Sequence, residues 1–141
     1  MNGKARLEVL TPQECLHLLR TTQVGRLAFI EGDLPAVHPV NYALHGQDIV
    51  IRIAGGGKLA AGQRGDVLAF EVDDIDPRTH TGWSVLVVGG SSIVTDIAQL
   101  VEMASPESRP WAEGRREQFL RIAADRITGR RLSLGSTHST R

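Results

Sequence analysis

A chain of 141 residues, 41% of them hydrophobic, is the size of one domain with enough apolar material for a core of its own. Sixteen basic residues balance sixteen acidic ones, which excludes the strongly charged surfaces that nucleic acids and anionic membranes select. The single cysteine, Cys15, excludes an internal disulfide and suits a reducing cytoplasm, and the mixed polar start, 1–8, offers neither an apolar leader nor a membrane span.

Thr11-Pro12-Gln13-Glu14 reads as a helix start: Thr11 caps, Pro12 takes the first helical position and Glu14 completes a capping box. Cys15, Leu18 and Leu19 then recur at helical spacing as far as Thr22. Strand-length apolar runs follow at 24–30, 36–44, 49–54 and 67–72, separated by short turns such as Glu31-Gly32-Asp33 and His45-Gly46-Gln47-Asp48. A short helix fits 58–63, and 73–82 reads as a polar loop containing Pro77. The next run, 83–95, carries Gly89-Gly90, the mark of a bulge or sharp bend. After a helix at 97–104 and a loop at 105–116, residues 119–122 and 127–132 supply one last strand or a broken pair.

Five or six strands joined mostly by short turns predict a mainly β domain over 1–132, a closed antiparallel barrel of about six strands with a few short helices. The Ser/Thr-rich tail, 133–141, is expected to be disordered.

The most informative segment is Ile49–Lys58, IVIRIAGGGK. Three glycines after a strand let backbone N–H groups line an anion site, and Arg52 and Lys58 flank the turn, so both cations can reach one phosphate. A flexible hairpin with two solvated charges is the plainer alternative. A P-loop is absent, since Arg52 and Leu59 stand where a Gly and a Ser or Thr are needed. Gly55, Gly57 and Ala60 imitate a dinucleotide fingerprint, but the following helix is too short for a parallel crossover and Glu71 comes too early for the ribose acid. In His38-Pro39-Val40-Asn41-Tyr42 the proline removes a ladder donor, which places this strand at an edge or a bulge. Trp83 and Ser84 lie in a strand, and Trp111, in Arg109-Pro110-Trp111, is a loop tryptophan suited to a ring system or a subunit interface. The scattered histidines and lone cysteine give no metal site, and no nucleophile elbow surrounds Ser84 or Ser91.

In order and spacing, ECLHLLR, VGRLAF, PAVHPVNYAL, IVIRIAGGGKLA, VLAFEVDDID, TGWSVLVVGG, RPW and ITGRRL resemble the pyridoxamine 5'-phosphate oxidase-like proteins, the FMN-binding Greek-key split barrels. The resemblance covers residues 10–132 and implies an FMN-dependent oxidoreductase, a cytoplasmic homodimer with two flavins at its interface. By that resemblance Pro39, Val40, Asn41 and Tyr42 run along the flavin ring, and Arg52 and Lys58, with Leu59 beside them, hold the phosphate. Ser84 then lies on the strand that closes the site, and Trp111 reaches the partner's flavin.

Three departures bear on function. Ile53 stands where relatives carry a phosphate-binding Thr, the triple glycine replaces a Gly-Ser-Lys type of loop, and 127–132 lacks the basic motif that grips pyridoxal phosphate. The substrate is therefore not inherited, and short forms of this family include nitroimidazole reductase-like and deazaflavin-dependent proteins. No catalytic acid or base is identifiable, although His38 and Tyr42 are candidates for proton delivery. A non-catalytic flavin, deazaflavin or haem carrier on the same barrel is the alternative.

Overall fold

Alternation governs the longest strands. Within Val24–Glu31 the buried residues are Gly25, Leu27 and Phe29, and within Val67–Asp76 they are Leu68, Phe70 and Val72. A strand that buries every second side chain has one face in the core and one outside, which suits an antiparallel sheet. The computed structural model of the chain describes residues 5–95 and 118–134. Those residues form nine strands, all paired antiparallel, and two helices. In chain order they are β1 (Ala5–Val9), α1 (Pro12–Arg20), β2 (Val24–Glu31), β3 (Leu34–Asn41), β4 (Ala43–His45), β5 (Asp48–Ile53), α2 (Gly57–Arg64), β6 (Val67–Asp76), β7 (Thr81–Val94), β8 (Gln118–Ile122) and β9 (Arg126–Leu134).

Two sheets share β7. The first runs β3-β2-β6-β7-β9-β1, and the second takes the far end of β7 and adds β8, β5 and β4. The branch falls at Gly89-Gly90: as far as Val88 the strand pairs with β9, and from Ser91 it pairs with β8. A Cβ on Gly89 would lie 1.7 Å from the Ala123 carbonyl oxygen, so the β8–β9 connection crosses β7 where only a hydrogen fits. The Gly90 N–H donates to Asp125 Oδ2 at 3.0 Å, and the Ala123 N–H donates to the Gly90 carbonyl at 2.9 Å. The inner faces of both sheets enclose one core, with Leu27, Phe70 and Val87 from the first and Ile49, Ile51 and Leu120 from the second. Helix α1 adds Cys15 and Leu19 to it. The expected capping box is present: the Glu14 N–H donates to Thr11 Oγ1 at 3.1 Å, and the Thr11 N–H donates to Glu14 Oε1 at 2.8 Å.

The closed barrel of about six strands is corrected by this arrangement. The hydrogen-bonded path is open, with β3 and β4 at its ends, and the described residues hold nine strands. The run 36–44 divides at Tyr42, whose N–H donates to the Gln23 carbonyl at 3.1 Å, so β3 and β4 belong to different sheets. Strand β1 alternates Leu7 and Val9 with Arg6 and Glu8, but its apolar side stays exposed, and the strand is held by backbone pairing with β9, from Ala5↔Leu134 to Val9↔Arg130. That pairing also carries Ser133 and Leu134 into a strand, where the tail was expected to begin. Asp73–Asp76 is strand rather than loop, because its backbone continues the ladder with Thr81–Ser84 and its carboxylates have an outer face to occupy. The dinucleotide reading has no parallel strand pair among the described residues to rest on. The expected helix at 97–104, the loop at 105–116 and the tail beyond Leu134 lie outside the described residues.

Candidate functional site

The glycine loop leads from β5 into α2. Gly55 and Gly56 adopt φ of +100° and +80°, a region that glycine enters without strain, and a Cβ on either would meet nothing within 4 Å. Gly56 caps α2 with no side chain, so the amides of the first turn stand uncapped at the positive end of the helix dipole. Lys58 lies in that turn, with Nζ 5.7 Å from the centroid of the Phe29 ring. The His38 ring meets the same phenyl ring edge to face at 5.0 Å. The Glu31 carboxylate lies against Gly57, where a Cβ would come within 2.7 Å of Oε2. The start of the helix thus has a carboxylate near it, and amides plus an ammonium are donors that fit a phosphate. Arg52 is half-buried on β5, on the side opposite Ile51 and Ile53 and in register with Phe119, and it has interactions of its own. Leu59 packs on the main core.

Strand β3 is an edge, as Pro39 requires, and Pro39 pairs in register with Arg26. Its residues divide by face. Val40 and, just beyond the strand, Tyr42 pack on the core, whereas Pro39 and Asn41 stand on the outer face. The Tyr42 hydroxyl donates to the Leu19 carbonyl at 2.6 Å and shares a hydrogen bond with the Thr22 hydroxyl, and its ring packs edge-on to Phe70. Burial holds the phenol above its ordinary pKa, and the bond to Thr22 opposes that shift. In this position Tyr42 ties the end of α1 to the sheet.

Ser84 also faces outward, between Asp73 on β6 and Arg130 on β9 in register. One carboxylate on this face was missed as a site candidate. Glu71 stands between Arg26 on β2 and Leu86 on β7. Its pKa is pushed up to about 7, first by burial, then by the hydrogen bond and the charge of Asp73, against the pull of Arg26. The signal was in the sequence: Glu71 and Asp73, two apart in a strand, must share a face.

The expected site residues therefore fall into separate groups. Lys58 and His38 meet at Phe29; Pro39, Asn41 and Ser84 share the outer face with Glu71; Val40, Tyr42 and Leu59 pack inward; Arg52 belongs to the second sheet. Trp111 lies outside the described residues. No helix among the described residues is long and apolar enough to cross a membrane.

Comparison with known proteins adds context to this geometry. The sequence profile described as pyridoxamine 5'-phosphate oxidase matches residues 11–131. An uncharacterised protein of Mycobacterium tuberculosis is 32% identical over 128 residues, covering 87% of this chain and 84% of that one. The fold is similar to that of the FAD-binding protein from Mycobacterium smegmatis, with a TM-score of 0.75 and 30% identity over 91% of this chain and all of the other (100%). It is also similar to a conserved protein of unknown function from Corynebacterium diphtheriae, with a TM-score of 0.74, 27% identity, and coverage of 90% and 98%.

Proposed function

The chain belongs to the pyridoxamine 5'-phosphate oxidase family, and from that premise we propose that it binds a flavin, FMN, and acts as a flavin-dependent oxidoreductase on a small molecule. The observation that carries this reading is the uncapped start of α2, where Lys58 and the Glu31 carboxylate mark a place for an anion. The phosphate would take the position against Gly57 that Glu31 holds, with Lys58 turning to it from the Phe29 ring. For the lysine the exchange is favourable: a partly exposed cation–π contact contributes about 0.5–1 kcal/mol, and a charge-assisted hydrogen bond about 1.5–3 kcal/mol. Arg52 is the second phosphate ligand in this reading. Pro39, Val40, Asn41 and Tyr42 line the ring, Leu59 and Ser84 close the site, and Trp111 comes from the partner of a homodimer.

The flavin, when bound, supplies the hydride chemistry, and the chain's own residues bind, orient and exclude water. His38, held against Phe29, is the better placed of the two proton-delivery candidates, because the Tyr42 hydroxyl is already engaged with Leu19 and Thr22. The reducing cytoplasm remains the compartment we assign, on the buried free thiol of Cys15.

FAD is a second reading, favoured by the FAD-binding neighbour from Mycobacterium smegmatis. A Cβ on Gly55 or Gly56 would meet nothing within 4 Å, so the loop is open on that side. Anaerobic mixing of the flavin-loaded protein with NADH or NADPH tests the activity: bleaching of the flavin absorbance is expected. A loaded protein whose flavin is bleached by dithionite but by neither NADH nor NADPH would favour a carrier over an oxidoreductase that uses those donors.

A further inference from the structure

The turn that follows β2 holds Glu31 beside the proposed phosphate position. Glu31 pairs with Leu34 across the Gly32-Asp33 turn, and it lies on the same side of β2 as Phe29, two residues before it. Lys58 stands over that phenyl ring, with Nζ 5.7 Å from its centroid. A Cβ on Gly57 would come within 2.7 Å of Glu31 Oε2, 3.0 Å of Cγ and 3.1 Å of Cδ, so the carboxyl end of the side chain rests against the start of α2. Arg64, at the far end of α2, is engaged elsewhere. Its guanidinium pairs with Asp66 at 2.7 Å and donates to the Ile30 carbonyl at 3.5 Å. Asp33 follows Glu31 in the same turn, and His38 meets Phe29 from β3.

The start of α2 therefore combines an ammonium, a carboxylate and the positive end of a helix dipole, about half a unit charge. Together they leave roughly half a positive unit; without Glu31 they would leave roughly one and a half. A phosphate monoester, the group that FMN carries, loses its second proton at about pH 6 and then bears two negative charges. A phosphate within a diphosphate linkage, as in FAD, keeps one negative charge on either side of that pH. A nearby carboxylate repels the first twice as strongly as the second. We infer that Glu31 is a specificity-determining residue of the phosphate site: its carboxylate offsets the Lys58 ammonium and shifts the preference from a fully ionised phosphate monoester towards a singly charged phosphate of a diphosphate linkage. The inference rests on the flavin reading above and names what decides between its two cofactors. Arg52, the second phosphate ligand in that reading, adds the same charge with or without Glu31 and leaves the difference unchanged.

Flavin-fluorescence titrations of the parent and of Glu31→Gln with FMN, FAD and riboflavin, at about pH 5 and about pH 8 to bracket the phosphate ionisation, test it. A unit charge about 4 Å from a carboxylate in a water-like dielectric changes affinity about fivefold. Glu31→Gln should therefore tighten FMN binding on the order of tenfold or more at the higher pH, where the phosphate is a dianion. At the lower pH FMN should gain about fivefold or less, and so should FAD at both. Riboflavin, without a phosphate, should not change. Because the FAD diphosphate does not ionise across this range, FAD also records any contribution of His38 to the pH dependence. Asp33→Asn removes a like charge from the same turn and should change FMN binding less than Glu31→Gln does. Both positions are exposed, and far-ultraviolet circular dichroism checks that each variant is folded. Equal gains for FMN and FAD at the higher pH, no gain, or a gain that Asp33→Asn reproduces in full would overturn the role of Glu31 while leaving flavin binding in place. A parent protein that binds none of the three removes the flavin reading and this inference together.

Discussion

Lys58 is the residue on which the phosphate site turns. Its ammonium sits over Phe29 in the uncapped first turn of α2, and the Glu31 carboxylate lies against Gly57 at the start of the same turn. Lys58→Ala should weaken FMN binding on the order of tenfold or more, at ~1.4 kcal/mol per decade. Riboflavin, without the phosphate, should lose far less, and an unchanged FMN-to-riboflavin preference in flavin-fluorescence titrations would move the phosphate elsewhere. Glu71 supplies a second residue-scale prediction. Its folded pKa, about 7, lies above the ordinary carboxylate value of 4.5, so the native state holds a proton that the unfolded chain has released. Stability should therefore fall as pH rises from about 4.5 to about 7. Glu71→Gln should leave stability unchanged below that window and raise it above by ~1 kcal/mol, once solvent screening of a partly exposed group is allowed for. Thermal melts of the parent and of Glu71→Gln at both ends of the window check the sign. The edge position of the Pro39 strand was legible in the sequence because a proline's missing N–H is a local property. Tyr42 was not, because its partner is the Leu19 carbonyl, and no pattern within the strand announces a bond to a helix end.

At the scale of elements, the branch of β7 decides the architecture. Gly89 and Gly90 are adjacent in sequence but not in role, since a Cβ on Gly89 would strike the Ala123 backbone and one on Gly90 would meet nothing within 4 Å. Gly89→Ala should cost about 3 kcal/mol, at the upper end of overpacking effects, and Gly90→Ala less than about 1 kcal/mol. Chemical denaturation of the two variants measures the contrast, and equal costs would contradict the crossing. The pair read from sequence as a bulge or bend, which found the right place and the wrong reason: the strand continues, and a neighbouring backbone passes close by. Helix α1 was legible in full because a capping box is a four-residue signal. Strand β1 was not, because Arg6 and Glu8 alternate with Leu7 and Val9 that stay exposed, and only its pairing with β9 makes it a strand. The acidic end of β6 misled for a related reason: polarity suggested a loop, whereas the outer face of a sheet accepts carboxylates as readily as a turn does.

At the scale of the molecule, alternating strands and short turns correctly indicated a mainly β, antiparallel domain, but neither the strand count nor closure could be read from them. Whether a sheet closes depends on pairings between distant segments, and here the division at Tyr42 sends β3 and β4 into different sheets and leaves the path open. The same topology gives the first sheet an inner face that joins the core and an outer face rich in exposed valine, isoleucine and leucine. On that basis light scattering of the FMN-loaded parent at micromolar concentration should give a dimer, and a monomer would exclude a flavin shared between subunits. The central claim, that this chain is a flavin-binding member of its family, is tested most directly by titrating the purified protein with FMN, FAD and riboflavin and following flavin fluorescence. Saturable quenching by FMN or FAD, with riboflavin bound at least tenfold more weakly, is the expected result. Quenching by none of the three would contradict flavin binding, and equal affinity for all three would contradict the phosphate site at Lys58.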